Sequence, residues 1–600
     1  MTLEFVDWIS VIAFFVLSLA VGLSVVRRAG SSATEFFASG RSMPWWLLGV
    51  SMVATTFSAD TPNLVTNMVR QNGVAGNWQW WAFLITGMVT VFIYSKLWRR
   101  SGVLTDIEFY EIRYSGKAAA FLRGFRALYL GIFFNVIIMA TVLLAAIKAG
   151  GVLLGISPVQ TILLTSAVTV IYTMLGGLRG VLITDFVQFI IAMAGAVTAA
   201  IVVLNLPQVG GLQGLLSHPN VADRLTFLPD FSNTSLVLTV FLIPIAVQWW
   251  SVWYPGSEPG GGGYIAQRML AARNEGHAIG ATLFFNFAHY ALRPWPWIIV
   301  ALASIIIYPD LDSLRAAFPH ISAEIVKDDL AYSAMLTYLP HGLLGLVVAS
   351  IIAAVMSTLS THLNWGASYV VNDFYQRFVT RAPSEQQQVL VGRVTIVLLM
   401  VASALFALLL SNALQAFNIL LQIGAGTGLL FLLRWFWWRI NAASEIAAMT
   451  VSFLVAIYFH LVHVSLGFPE LAPWLQLVIG VAITTAGWLA VTFLSKPTEQ
   501  KTLLDFYRLV HPGGPGWSAV LQQAREKGEK VELYLQQKWD LPSSLLSVFL
   551  GLLLVYSLLF AVGFWLYGNL APAVVTTFTS LAATYGLIRI WLQGGYGGKS

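Results

Sequence analysis

Apolar runs of roughly 20 residues recur along the chain between short polar breaks. Each is long enough, as a helix, to cross a hydrocarbon core about 30 Å thick. The pattern predicts spans over 7–27, 44–69, 75–99, 125–149, 158–177, 182–205, 236–255, 278–307, 340–371, 390–411, 415–438, 443–463, 473–495, 543–566 and 570–592, about fifteen in all. Runs such as WISVIAFFVLSLAVGLSVV are apolar all round, whereas strands of a membrane β-barrel alternate in polarity over about ten residues. The expected fold class is therefore an all-α polytopic membrane protein. The first run begins at Asp7 without a basic leader or a small-residue cleavage site, so it reads as a retained span and not as a signal peptide. Segments 308–333 and 497–541 exceed simple connectors. The second carries RLVHPGGPGW and then QQAREKGEKVELYLQQKW, which reads as a solvated or interfacial helix.

In hydrocarbon a backbone leaves the helix only where its freed groups are buried in protein or line a wet cavity, so interrupted spans point to binding sites. Two spans are interrupted. The one from Pro44 contains ATTFSADTPN, which places Thr55, Thr56, Ser58, Asp60, Thr61 and Pro62 at mid-membrane. The one from Leu236 ends in VQWWSVWYPGSEPGGGGYIAQR, whose Pro255, Pro259 and run of glycines disfavour a regular helix. These spans stand second and seventh in order, so each opens a block of five. Five being odd, two such blocks lie in opposite orientations, as in the inverted repeats of many secondary transporters.

A third polar run, MSTLSTH, lies in the span 340–371. Ser357 and Thr361 share one helix face, and Thr358 lies beside Ala354 and His362. A lone hydroxyl bonds back to its own helix, but this run exceeds that need. Hydroxyls, together with carbonyls freed at a break, suit a hard monovalent cation. Charges within spans are costly and mark function by default: Asp60, Asp185 and Arg293 qualify. Asp185 is a cation ligand or a hydrated helix cap, and Asp60 is a ligand or the N-cap of a second half-helix. Arg293 has a solute carboxylate or an acidic neighbour such as Glu258 to pair with. Trp78, Trp80 and Trp81 belong to an outer vestibule or an interfacial belt.

Only 10% of the residues are charged and the mean hydropathy is +0.76, a balance that belongs in lipid. The net charge of +6 is a topology signal and not one for nucleic acid. With the N-terminus outside, every basic residue falls on the cytoplasmic side except Arg70, Lys148, Arg224, Arg315 and Lys327 outside and Arg293 within a span. The expected orientation is N-out, C-in. No cysteine is present, so disulfides, thiolate metal sites and thiol redox chemistry are excluded. His289, His320, His362 and His460 show no metal-site spacing and read as ordinary bundle or loop histidines. An enzyme is not expected, and no repeated loop suggests the selectivity filter of a channel.

Four stretches, SMVATTFSADTP, YTMLGGLRGVLITDFVQ, GGYIAQRMLAARNE and TYLPHGLLGLVVASIIAAVMSTLSTHLN, resemble the sodium:solute symporter family, which includes sodium/galactose, sodium/proline and sodium/sialic acid carriers. The resemblance runs over roughly residues 5–495. It implies a LeuT-type core of five plus five helices working by alternating access. The expected parts are a leading helix and loop (1–43), a first repeat (44–205), an extracellular loop (206–235), a second repeat (236–438), two accessory spans (439–496), a cytoplasmic amphipathic loop (497–541) and two C-terminal spans (542–600).

The resemblance further implies a sodium site built from carbonyls of Ala54 and Phe57 with Ala354, Ser357 and Thr358, and in some members a second one matching Asp185, Ser360 and Thr361. For the solute it points to Asp60, Thr61, Gln79, Trp253, Tyr254 and Arg293. The insertion SEPGGGG, and Thr56 where other members often carry Asn or Asp, depart from the family pattern. The expected function is sodium-coupled import of a small polar solute, a sugar or sugar-like molecule, by a multi-pass protein of the cell membrane. The partners expected are the solute, Na+ and the lipid bilayer, with no nucleic acid and no obligatory protein. The alternatives are an amino acid or carboxylate as solute, or a transporter-derived sensor, although the stretch beyond residue 592 is too short for a signalling domain.

Overall fold

The computed structural model describes residues 3–593 apart from 59, 251–257, 320, 322–325, 381, 411–425, 532–533 and 535–538. Among the described residues the chain is helical, with one isolated bridge between Met43 and Ala272 in place of any sheet. Eleven helices are long and apolar enough to cross a membrane. They are α1 (Phe5–Ser24), α4 (Val74–Ser101), α5 (Gly116–Leu153), α6 (Pro158–Leu204), α9 (Glu275–Ile307), α10 (Leu343–Val379), α11 (Glu385–Leu409), α12 (Ala442–Val462), α13 (Pro473–Leu494), α15 (Leu541–Leu566) and α16 (Leu570–Leu592). Four shorter helices matter to the site or its closure: α2 (Trp45–Thr55), α3 (Asp60–Asn72), α7 (Thr234–Ala246) and α8 (Gly263–Ala271). A further helix, α14 (Gln500–Val510), lies in the 497–541 segment. The span expected over 415–438 falls mostly outside the described residues.

Helix α6 has 47 residues, about 70 Å at 1.5 Å per residue and more than twice the hydrocarbon thickness. It is two crossings. Its start is set by Ser157 and Gln160, which form a capping box ahead of Pro158. At Gly177 the backbone turns to φ +55° and ψ −159°, a conformation glycine adopts without penalty. A Cβ there would also meet the Phe36 carbonyl oxygen at 2.7 Å. Before the turn, Thr161 and Thr165 lie with Val348 and Ile352, and Tyr172 bonds the Met356 carbonyl. After it, Asp185 bonds Ser357 and Gly195 lies on Ser350. The two halves thus run past α10 in opposite directions, matching the spans 158–177 and 182–205.

Both expected interruptions are present. Helix α2 ends at Thr55 and α3 begins at Asp60. Helix α7 ends at Ala246 and α8 begins at Gly263, with Gly260 and Gly261 at positive φ between them. The two interrupted segments are tied at the face of the Met43–Ala272 bridge, where the Met43 amide donates to Ala271 and the Arg273 amide to Met43.

That face is closed by charge pairs. Arg126 binds Glu258 of the insertion, Arg123 holds Asp373 at 2.7 Å, and Asp106 accepts from Tyr369 at 2.5 Å and from the Gly263 amide at 2.8 Å. In the 497–541 segment residues 522–530 are mostly exposed, as expected of a solvated piece, while the part before them packs on the body. Helix α14 buries Leu503, Leu504, Phe506, Tyr507 and Val510, and the buried Arg113 guanidinium stacks on Phe506 and Trp517. Helix α15 packs against the body through Tyr556, which donates to the Trp81 carbonyl, and through Trp295, which donates to the Leu559 carbonyl. Gly563 lies so close to the Trp295 ring that a Cβ has no room.

At the opposite face the buried Asp7 carboxylate accepts from the Gly342 and Gly345 amides at 2.7 and 2.8 Å and so caps α10, while its second oxygen meets His341 Nδ1 at 2.7 Å. That bond, helped by Glu4, raises the His341 pKa above its ordinary value. The raised value means that the contribution is fully present below the ordinary histidine pKa of about 6.5 and is lost as pH rises through the raised one. Heat denaturation of the purified protein should therefore show a midpoint that falls from about pH 6 to pH 8. His341→Asn should flatten this slope, and an unchanged slope would clear His341 of the effect.

Candidate functional site

Between α2 and α3 the chain is not helical at Phe57 and Ser58, and the freed groups are met by side chains. Thr61 Oγ1 donates to the Thr56 carbonyl at 3.1 Å. Thr358 Oγ1, from α10, donates to the Thr55 carbonyl at 2.8 Å. Arg293 Nη1, from α9, donates to the Val53 carbonyl at 3.2 Å. Three elements thus converge on one interruption.

The hydroxyl run on α10 is buried throughout: Ser357, Thr358, Ser360 and Thr361 are each no more than 4% exposed. These groups face protein and not lipid. Phe57 and Ala354 border a cavity of about 20 Å³, large enough for one water-sized species. Its polar lining is Ser58, Asn63, Tyr332, Ser333 and Ser350, and the α10 hydroxyl that reaches the break is that of Thr358, on the Thr55 carbonyl. Among the described residues no group of three or more His, Asp or Glu side chains is poised to hold a metal.

Asp185 lies fully buried between α2 and α10. It neither caps a helix nor meets water, which removes the capping alternative. Its oxygens accept from Ser51 at 2.5 Å and from Ser357 at 2.7 Å. Ser357 therefore joins the two residue sets that the sequence kept apart. Thr361 Oγ1 bonds Thr55 Oγ1 at 2.8 Å, while Ser360 bonds back to the Ser357 carbonyl at 3.0 Å in the ordinary manner of a helical serine.

Beside the first break opens a larger cavity of about 370 Å³, within the range of small-molecule sites. Its walls include Asp60, Thr61, Trp80, Thr141, His289 and His362, and its rim carries Lys148, Lys327, Asp328 and Asp329. Three of these rim charges are paired across elements, Lys148 with Asp329 at 3.2 Å and Asp328 with Arg70 at 2.8 Å. The cavity approaches the face that bears segment 308–333.

Of the residues expected around a solute, Asp60 and Thr61 line this cavity. Gln79 and Arg293 do not, and Trp253 and Tyr254 lie outside the described residues. Arg293 sits one layer back, between the Phe57 and Trp297 rings, and bonds His289 Nδ1 at 2.5 Å. It does not pair with Glu258, which Arg126 holds instead. The tryptophans do not form a lipid belt: Trp78, Trp80 and Trp81 are buried, and Trp80 stacks on Tyr290 at 5.4 Å.

Two residues in the cavity wall were read as ordinary histidines. His289 lies in a π-helical turn, Ala288–Leu292, a distortion common at functional sites, and its Nδ1 is 3.0 Å from Thr56 Oγ1. His362 bonds Asn135 at 2.7 Å. The available signal for His289 was its spacing: four residues before Arg293, it occupies the same helix face as that intramembrane charge.

The sodium:solute symporter family model matches residues 36–490. A sodium/glucose cotransporter from Vibrio parahaemolyticus is 27% identical over 487 residues, covering 78% of this chain and 87% of that one. A sodium/sialic acid symporter from Proteus mirabilis is 26% identical over 471 residues, covering 76% and 89%. The solved outward-open structure of a Na+-coupled sialic acid symporter superposes with a TM-score of 0.67 at 23% identity, over 83% of this chain and 99% of that one. This last likeness is one of fold.

Replacing the arginine behind the cavity tests its place in the architecture. Arg293→Met removes one of the two donors of the Val53 carbonyl, which keeps Thr56 Oγ1, and takes the guanidinium from His289, and should lower stability to denaturant by about 1–3 kcal/mol. Gln79→Ala, away from the wall, should stay within about 0.5 kcal/mol of wild type.

Proposed function

Because the chain belongs to the sodium:solute symporter family, we propose that it uses sodium entry to accumulate a neutral polyhydroxy solute, a sugar or a close analogue, in the cavity beside its first interruption. It is a multi-pass integral membrane protein. The observation that carries the reading is the contact of the α10 hydroxyl of Thr358 with the Thr55 carbonyl, where the chain breaks between α2 and α3. Sodium is cargo here. The ion would rest on the Ala54 and Phe57 carbonyls with Ala354, Ser357 and Thr358. A second one would rest on Asp185, Ser360 and Thr361.

The charge parity of the loops supports an N-out, C-in chain of about fifteen spans, in which 44–205 and 236–438 form inverted repeats. In that orientation the large cavity faces outward, and the Arg126–Glu258 and Asp106–Tyr369 contacts seal the cytoplasmic side. Sodium holds the first break against α10 and so completes the solute site. Closure followed by separation of the cytoplasmic contacts then releases both. Each positive charge moved contributes about 2.3 kcal/mol per 100 mV of membrane potential. Solute must tighten sodium as much as sodium tightens solute.

The wall favours a neutral solute. Beyond the rim charges, of which Lys148 pairs with Asp329 and Asp328 with Arg70, it offers the Asp60 carboxylate, hydroxyls, two imidazoles and the Trp80 ring, while the buried Arg293 is engaged with His289 and the Val53 carbonyl. The names of the relatives support a sugar or a sugar-like solute, one being a sodium/glucose cotransporter and another a sodium/sialic acid symporter.

The test is a thermal-shift screen of the purified protein with neutral sugars, polyols, sugar acids and amino acids, in sodium and in potassium. A neutral polyhydroxy solute should stabilise in sodium only, by about 2.7 kcal/mol at a concentration 100 times its Kd, and Ser357→Ala should abolish the effect. Equal stabilisation in potassium would rule out sodium coupling, and a response confined to carboxylates would rule out the neutral class.

A further inference from the structure

Helix α8, which follows the second break, carries Arg268 into the same pocket of oxygens. The side chain is fully buried. Its Nη2 donates to Thr361 Oγ1 at 2.7 Å and to Ser51 Oγ at 3.2 Å, and stands 3.8 Å from Asp185 Oδ2. Its Nε also reaches Ser51, and Nη1 bonds the neighbouring Gln267 at 2.9 Å. In the structure, then, Asp185 has its countercharge already, delivered by the helix of the second break onto a serine and a threonine of two other helices.

A sodium ion resting on Asp185 and Thr361 would need the oxygen atoms that Nη2 now faces. Two unit positive charges about 4 Å apart repel by roughly 4 kcal/mol at an effective dielectric constant near 20, and this pocket has no solvent to screen them. They cannot share the site in the observed geometry. From this competition, and resting on the sodium coupling proposed above, we infer that Arg268 is a tethered counter-ion to Asp185 which the second sodium displaces, so that ion binding is transmitted as a movement of α8.

The surroundings suit such a movement. Helix α8 has nine residues and is preceded by Gly260, Gly261 and Gly263 at positive φ, a stretch able to absorb a change of direction. At its far end lie Ala271 and the bridge to Met43, the strand-like tie to the first interrupted span. Gly263, its first residue, donates to Asp106 in the charged closure of that face. Withdrawal of Arg268 from Asp185 therefore pulls on the contacts that seal the molecule opposite its cavity. Arg268 is a positioning residue, acting on the ion through a carboxylate that both would claim.

The experiment measures the half-saturating sodium concentration for thermal stabilisation, with choline as the replacement ion, in wild type, Arg268→Gln, Arg268→Lys and Asp185→Asn, and in the Arg268→Gln/Asp185→Asn double variant. Removal of the competing charge should lower the midpoint by about tenfold. Arg268→Lys keeps a cation and should stay near wild type, and the double variant should lose the shift.

Loss of the tenfold change, or a raised midpoint in Arg268→Gln with sodium still stabilising the wild type, would make Arg268 a purely structural residue and overturn the inference. Absence of any sodium effect in wild type would instead overturn the coupling reading, and this inference with it. A second measurement needs no change at Arg268. The chain has no cysteine, so Arg273→Cys offers one thiol at an exposed position just past the end of α8, whose labelling rate should change several-fold on adding sodium; an unchanged rate refutes the movement.

Discussion

A peptide group in hydrocarbon has no water to turn to, and the architecture around the site follows from that constraint. A transmembrane helix can be opened only where other parts of the protein supply donors for the carbonyls it frees. At the first interruption those donors are Thr61, Thr358 and Arg293, drawn from the adjoining half-helix and two neighbouring helices. The break is therefore a junction and not a defect. It is also a set of oxygens whose partners are exchangeable, because a hydroxyl that donates to a carbonyl in one arrangement can turn a lone pair to a cation in another.

The same reasoning explains how the charges are distributed. Asp185, Arg268 and Arg293 are fully buried, and each is held by hydrogen bonds from or to other elements. Unpaired, any of them would be costly enough to unfold its surroundings. Paired as they are, they link α2, α6, α8, α9 and α10 around a point where two helices are already open. The polar cavity lies on one side of this point and the ionic closure on the other. Access to the oxygens is thus set by which of the two sides is sealed.

Much of this was legible in the chain. Helix interruptions at ATTFSADTP and at the Pro/Gly tract follow from composition alone, as does the buried polar stripe at 357–361. The turn at Gly177 was legible only as a gap between two apolar runs, since one glycine in GGLRG looks like any other until its φ is seen. What could not be read was partnership across distance. The spacing of His289 and Arg293 was a local signal, but nothing near Arg293 or Asp185 in the sequence says that the first also binds a carbonyl 240 positions away, or that the second shares Ser357 with the neighbouring site. Arg268 sits in the tract that carried the family resemblance, yet only the folded chain puts it opposite Asp185. In the 497–541 segment the described part of QQAREKGEKVELYLQQKW is largely exposed as expected, whereas the packing of Phe506 and Trp517 under Arg113 is again a partnership across distance.

The packing of α15 has a mechanical consequence. With Tyr556 bonded to Trp81, Trp295 bonded to Leu559, and Gly563 pressed on the Trp295 ring, this outer helix is keyed to α4 and α9 and cannot slide independently of them. Whenever those helices tilt, α15 travels as their passenger and sweeps lipid with a wider perimeter than the inner bundle alone.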